Sequence, residues 1–268
     1  MDQLTPPSPP SSFPAAGDHA PGAAPKREPR VVAAGNGMAW WTEGWRLFAA
    51  APWVWIGMTI LFLVIMIMLT FVPMLGTIAT SLLTPVFAGG VLIAFGTLDR
   101  GGEIAVSHLF TSFSDRLVPL VIVGLLYLVG TFVILLAVFC IVFMAIGMGG
   151  IGALLTGDPI QAGVAMLATL GIGAIAAVLV GFLLGIPLMM AYWFAPALVV
   201  FRNDEPFAAM KTSFVACLVN TLPMLVYGLL GLVWAIIASI PLGLGWLVLA
   251  PVFAGSIYTS YKDIFGDA

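Results

Sequence analysis

Charge is what this sequence lacks. No Asp, Glu, Lys or Arg occurs in residues 47–98, 117–157, 159–201 or 212–261. A helix needs only ~20 apolar residues to cross the hydrocarbon of a bilayer, so these runs read as membrane segments and exclude a soluble globular core. A chain of 268 residues that is 62% hydrophobic, with a mean hydropathy of +1.15, fits that class. The net charge of −3, with no basic cluster, argues against a nucleic-acid partner. Cys140 and Cys217 fall on separate predicted helices and form no CxxC pair. That excludes a disulfide framework, and both read as small buried hydrophobes.

The side chains of most chemistry are missing as well. Ionisable residues inside a membrane are the usual pointer to a pump, carrier or intramembrane enzyme, and none is found here. His19 sits near the N-terminus, and His108 falls on the polar side of a predicted surface helix. There is no HExxH, no GxxxxGK and no pair of membrane carboxylates. Asp204 and Glu205 read as a helix start, and Asp115 and Asp158 stand alone. No catalytic, cofactor-binding or metal-ligating residue is predicted, no cofactor is implied, and the chain is expected not to be an enzyme.

What is there is organised. Residues 1–30 hold Pro6, Pro7, Pro9, Pro10, Pro14, Pro21, Pro25 and Pro29 and no apolar segment of a signal peptide. Residues 1–37 are expected to be a disordered cytoplasmic tail. A membrane domain over 38–262 follows, with spans at about 53–72, 75–97, 118–147, 163–190, 219–240 and 242–261, and then a short tail, 263–268. With six spans, all nine basic residues fall on one face and the opposite connections carry only Asp158. The positive-inside rule makes the basic face, and both termini, cytoplasmic. The third and fourth apolar runs exceed one bilayer. Tilt, a break at Pro187 or an outer apolar extension near Gly149–Gly157 could absorb the excess.

Pro85-Val86-Phe87-Ala88-Gly89 returns as Pro251-Val252-Phe253-Ala254-Gly255. Pro52, Pro73 and Pro85 align with Pro223, Pro241 and Pro251, and a degenerate middle unit carries Pro119, Pro187 and Pro196. The spacing predicts an all-α fold of three parallel helical hairpins around a pseudo-threefold axis, with proline kinks at matching places. The alternative is that Pro and Gly are simply common in membrane helices.

Each hairpin is preceded by a segment with one apolar stripe. The stripes are Trp40, Trp41, Trp45, Leu47 and Phe48; Val106, Leu109, Phe110, Phe113 and Leu117; and Phe207, Met210, Phe214 and Cys217. These predict amphipathic helices lying on the cytoplasmic membrane surface. In the fourth span Ala165, Thr169, Gly173, Ala177, Gly181 and Gly185 recur every four residues, a stripe that lets a second backbone approach. It suits a helix of the same chain or a homodimer seam. Thr59, Thr70, Thr80, Thr84, Tyr127, Thr131, Tyr192, Asn220, Tyr227, Ser239 and Ser256 are the mild polar groups at membrane depth. They read as helix-to-helix or i−4 carbonyl hydrogen bonds, or as the lining for an uncharged solute.

The Trp-rich entry from Trp40 to Phe48, Pro52-Trp53 and the Pro85–Gly89 motif resemble a family of uncharacterised six-span inner-membrane proteins of proteobacteria, over residues 38–262. The resemblance implies inner-membrane residence and no established activity. A looser similarity to mitochondrial carriers lacks the charged pairs beside the kink prolines. The expected role is therefore a non-enzymatic scaffold, regulator or lipid-associated factor with membrane lipids as partners. The alternative is a small transporter or channel for an apolar or uncharged solute.

Overall fold

The computed structural model describes residues 28–73 and 75–266, and every regular element among them is helical. In order these are α1 (Asn36–Ala50), α2 (Pro52–Thr70), α3 (Leu75–Asp99), a 3-10 turn (Val106–Phe110), α4 (Ser112–Asp115), α5 (Leu117–Thr156), α6 (Pro159–Trp193), α7 (Ala195–Arg202), α8 (Pro206–Val219), α9 (Thr221–Ser239) and α10 (Trp246–Phe265). Apolar runs become helices because hydrocarbon offers no partner to a backbone N–H or C=O. Five stretches are long and apolar enough to cross a membrane: α2, α3, α5, α6 with α7, and α9. α10 is 20 residues long, but its second half carries Ser256, Tyr258, Ser260, Lys262 and Asp263.

The long third and fourth runs form one hairpin. α5 has 40 residues and α6 has 35, lengths of about 60 and 52 Å at 1.5 Å per residue. Both continue to the turn at Gly157, whose φ of +65° suits glycine. The Asp158 carboxylate caps α6 by accepting the Ile160 N–H at 2.8 Å. Pro187 lies inside α6 without ending it.

The helix breaks two turns later, at Phe194, for another reason. The Ser213 hydroxyl of α8 accepts the Phe194 N–H at 2.9 Å and donates to the Met190 carbonyl at 2.7 Å. A side chain inserted into the i→i−4 ladder is a recognised cause of a kink, and Pro196 in the first turn of α7 completes it. The small-residue stripe of α6 meets α5 of the same chain. A Cβ at Gly173 would strike Ala145, Gly149 approaches Thr169 and Met166 in return, and Gly185 faces open space.

The packed core sits at the charged ends of the helices, near Asp99, Arg116, Arg202 and Lys262. Farther along, large apolar side chains such as Leu63, Phe132, Phe139, Phe182 and Leu229 face outward. Three surface-helix expectations change here. Trp40, Trp41, Leu47 and Phe48 of the α1 stripe are buried against the chain itself, while Trp45 is 54% exposed: Trp41 stacks on Tyr227 at 5.1 Å, and its indole N–H donates to the Tyr227 carbonyl. Residues 106–117 form a 3-10 turn and a four-residue helix, with Thr111 and Arg116 outside both and Leu117 opening α5, instead of one continuous helix. In α8 the buried side is Ala209, Met210, Ser213, Ala216 and Cys217, while Phe207 is 73% exposed. Small residues win that face because they let α8 lie close against α6.

The described segments nearest the two termini are fastened to the core. The disordered tail expected over residues 1–37 lies for residues 1–27 outside the described residues, but Arg30 donates its N–H to the Ile264 carbonyl and Val32 donates to the Asn220 side chain at 2.9 Å. Residues 28–37 are thus pinned to the core. At the other end α10 runs past 262 to Phe265, and Ile264 and Phe265 are buried.

Candidate functional site: a central apolar cavity

α3, the α6–α7 break and α10 converge on a cavity of about 240 Å³. α3 supplies Thr84, Phe87 and Ala88, the break supplies Tyr192, Trp193 and Pro196, and α10 supplies Ala250, Pro251 and Ala254. Trp55, Met58 and Phe62 of α2 close the fourth side. Both copies of the Pro-Val-Phe-Ala-Gly motif therefore reach one wall. Signals from separate parts of the sequence meet here.

Toward the charged end the cavity is floored by rings. Trp55 stacks on Phe95 with centroids 3.8 Å apart, and Tyr258 lies 6.2 Å beyond Phe95. Phe95, Tyr258, Tyr261 and Phe265 are all buried. Trp55 is held in place by its N–H, which donates to the Leu47 carbonyl at 3.1 Å.

The polar groups of the wall are few and mostly occupied. Thr59 and Thr84 donate to the carbonyls of Trp55 and Thr80 in their own helices. Tyr192 lies 4.6 Å from the Tyr127 ring. The Trp193 indole nitrogen is the exception: it is buried and has no hydrogen-bond partner among the described residues. Trp193 was not singled out by the sequence, where it is one apolar residue among many. Its signal is structural, since it directly precedes the break that Ser213 enforces.

The other polar residues act as fasteners. Tyr227 and Ser256 join α9 to α10 through a buried hydroxyl pair at 2.7 Å. Asn220 accepts from Val32 and donates to the carbonyls of Arg30 and Ala216. Asp99 gathers Lys262, Tyr258 and Arg46, and Asp263 takes the side-chain N–H groups of Asn36 and Trp40. The His108 ring accepts the Ala105 N–H at 3.1 Å, a local turn contact. Glu205 directly precedes α8, in keeping with a helix start, though its side chain makes no capping bond. No group of three or more His, Cys, Asp and Glu that could hold a metal occurs among the described residues. A second apolar groove, of about 620 Å³, runs between α1, α9 and α10 past Trp41, Trp45 and Trp234.

The chain is similar to a curated probable inner membrane protein of Burkholderia thailandensis, 28% identical over 258 residues that cover 88% of this chain and 93% of that one. No protein-family model matches the sequence, and no solved structure matches it. With five apolar helices of crossing length among the described residues, the chain is built as a multi-pass membrane protein.

Proposed function

We propose that this is a six-span inner-membrane protein with a non-enzymatic, lipid-associated scaffolding or regulatory role. In this reading α10 is the sixth span, and the three hairpins are parallel repeats with their charged ends in the cytoplasm. The distribution of the nine basic residues supports that orientation, as does the similarity to a probable inner membrane protein. The single observation that carries the role is the closed floor of the cavity. A path across the membrane would have to pass Trp55, Phe95 and Tyr258, stacked one on the next and all buried. The cavity itself favours a second reading, a transporter for an uncharged solute lined by Thr59, Thr84 and Tyr192.

Proteoliposomes separate the two. Stopped-flow swelling with glycerol should proceed at the rate of empty vesicles, and acceleration that Ala254→Phe removes would favour transport. Topology is checked by single-cysteine labelling in a background without Cys140 and Cys217. A cysteine at position 158 should react with a membrane-impermeant maleimide from outside intact spheroplasts, and labelling only after permeabilisation would reverse the orientation.

A further inference from the structure

We infer that the α5–α6 hairpin is a lever for bilayer thickness. It lies strongly inclined in the hydrocarbon, changes its tilt as the membrane thickens or thins, and turns Tyr192 of the cavity wall with it. This deepens the lipid-associated reading and rests on it.

The three hairpins share one level but not one length. Phe87, Tyr192 and Pro251 line the same cavity, Tyr127 lies against Tyr192, and Tyr227 against Trp193. From that level α3 runs about 18 Å to its far end at Leu75, and α9 about 18 Å to Ser239. α5 runs about 44 Å from Tyr127 to Thr156, and α6 about 50 Å from Tyr192 to Pro159. No charged residue occurs along this longer arm before Asp158 at its tip. The tip is nonetheless apolar: Leu154 is 85% exposed and Leu155 81%.

Upright, the arm would stand about 26 Å beyond the turns of the other hairpins, through a headgroup layer only about 5–8 Å deep. At about 40°, the upper end of usual helix tilts, it would still stand about 16 Å beyond them. Its leucines would then face water, which apolar surface avoids, whereas inclining a helix costs little per ångström of mismatch. Bringing Thr156 to the depth of Ser239 takes about 65° of tilt, with α9 upright. No ordinary bilayer accommodates the arm at a usual tilt, so its inclination follows the thickness of the membrane around it.

The arm is free to move. Beyond Tyr127 and Tyr192 its glycines meet only the opposite helix of the hairpin, as Gly149 and Gly173 do, or open space among the described residues, as Gly147, Gly163 and Gly171 do. Both of its roots are interrupted. α5 opens directly after Arg116, whose φ of −125° and ψ of 9° are not helical. α6 gives way at Phe194, where the Ser213 hydroxyl enters the ladder. Hinges are residues of this kind, at element ends, that absorb the backbone change. Tyr192 lies on the arm's side of the break, while Phe87 and Pro251 belong to the short hairpins. A change in tilt therefore turns Tyr192 against them.

The test uses the full chain, in a background without Cys140 and Cys217, reconstituted in dimyristoleoyl, dioleoyl or dierucoyl phosphatidylcholine. Nitroxides on Leu154→Cys and Ile240→Cys join the tip of the arm to the end of α9. A control pair on Phe71→Cys and Ile240→Cys joins the two short hairpins. Double electron–electron resonance should show the tip distance shifting by several ångström from the thinnest to the thickest bilayer, with the control distance constant. Leu155→Cys repeats the measurement from the neighbouring site if Leu154→Cys elutes abnormally on gel filtration. A fluorotyrosine in place of Tyr192 should change its fluorine shift over the same series, and one in place of Tyr258 should not.

A tip distance that is the same in all three bilayers would overturn the lever and leave the lipid-associated reading intact. So would a dipolar signal between chains labelled at position 154 alone, because a second copy would then cover the tip. A tip that moves while the Tyr192 fluorine signal stays constant would overturn the link to the cavity. Glycerol flux, measured separately, is the result that would overturn the underlying non-transport role.

Discussion

The Ser213 hydroxyl stands between Phe194 and the carbonyl it would otherwise reach, 2.9 Å from the Phe194 nitrogen. Through that wedge α8 sets the direction in which α6 gives way to α7, and so where Trp193 and Pro196 meet the cavity. Ser213→Ala should leave the Phe194 N–H without its buried acceptor and the Met190 carbonyl with only the Cys217 thiol, at a cost of about 1–3 kcal/mol. Thermal unfolding in detergent should show the loss. A wild-type melting temperature would mean that the ladder closes again without strain.

Tyr227→Phe isolates the hydroxyl pair between α9 and α10. Ser256 keeps its bond to the Phe253 carbonyl, so the expected cost is about 0.5–1.5 kcal/mol. Tyr227→Ala also removes a ring packed against Trp40, Trp41, Trp193 and Phe253. It should cost about 3–5 kcal/mol. A similar loss in both variants would assign the contribution to the hydroxyl alone.

The two thiols should differ in reactivity. Burial pushes the Cys217 thiol up to about 12, and its Sγ–H points to the Met190 carbonyl. With its pKa raised, Cys217 stays a protonated, unreactive thiol at about pH 8, since the thiolate is the nucleophile. Cys140 is exposed on the outer face of α5. An apolar maleimide should modify Cys140 in the folded protein and Cys217 only after denaturation. Ready labelling of Cys217 would mean that α8 lifts away from α6.

Gly44→Ala tests how closely α1 is seated. A Cβ there would lie 2.7 Å from both the Ser256 nitrogen and the Val252 carbonyl oxygen of α10. Backbone atoms cannot swing aside, so α1 must shift, at a cost of about 1–3 kcal/mol. Gly35→Ala meets nothing within 4 Å and is the control. Equal melting temperatures would show that α1 is not packed on α10.

The helical, membrane-spanning character was legible because uncharged runs of that length have one stable outcome in hydrocarbon. Which faces would be buried, and against what, was only partly legible. The Trp40–Phe48 stripe was read as an apolar face for lipid, and four of its five residues are buried against the chain instead, because periodicity cannot distinguish lipid from a neighbouring helix when both are apolar. In α8 the same rule favoured Phe207 over Ala209 and Ser213, because it ranks hydrophobicity and not closeness of approach. The cavity draws on separate segments, and only the repeated motif placed Ala88 and Ala254 in comparable positions. Trp193 and the Ser213 wedge are products of tertiary contact, without a local signature.

Trp41 hydrogen-bonds to a residue 186 positions later in the chain. Ribosomes add about 5–20 residues per second, so α1 emerges roughly 10 to 40 s before its partner helix exists. For that interval three tryptophans on one short helix must find provisional shelter, and indole rings settle readily at the lipid–water boundary. The surface-helix pattern legible in the sequence would then describe a stage of biogenesis, with Trp40 and Trp41 buried at its end point. Arrival of α9 and α10 would draw α1 off the bilayer and close the molecule from its first helix to its last.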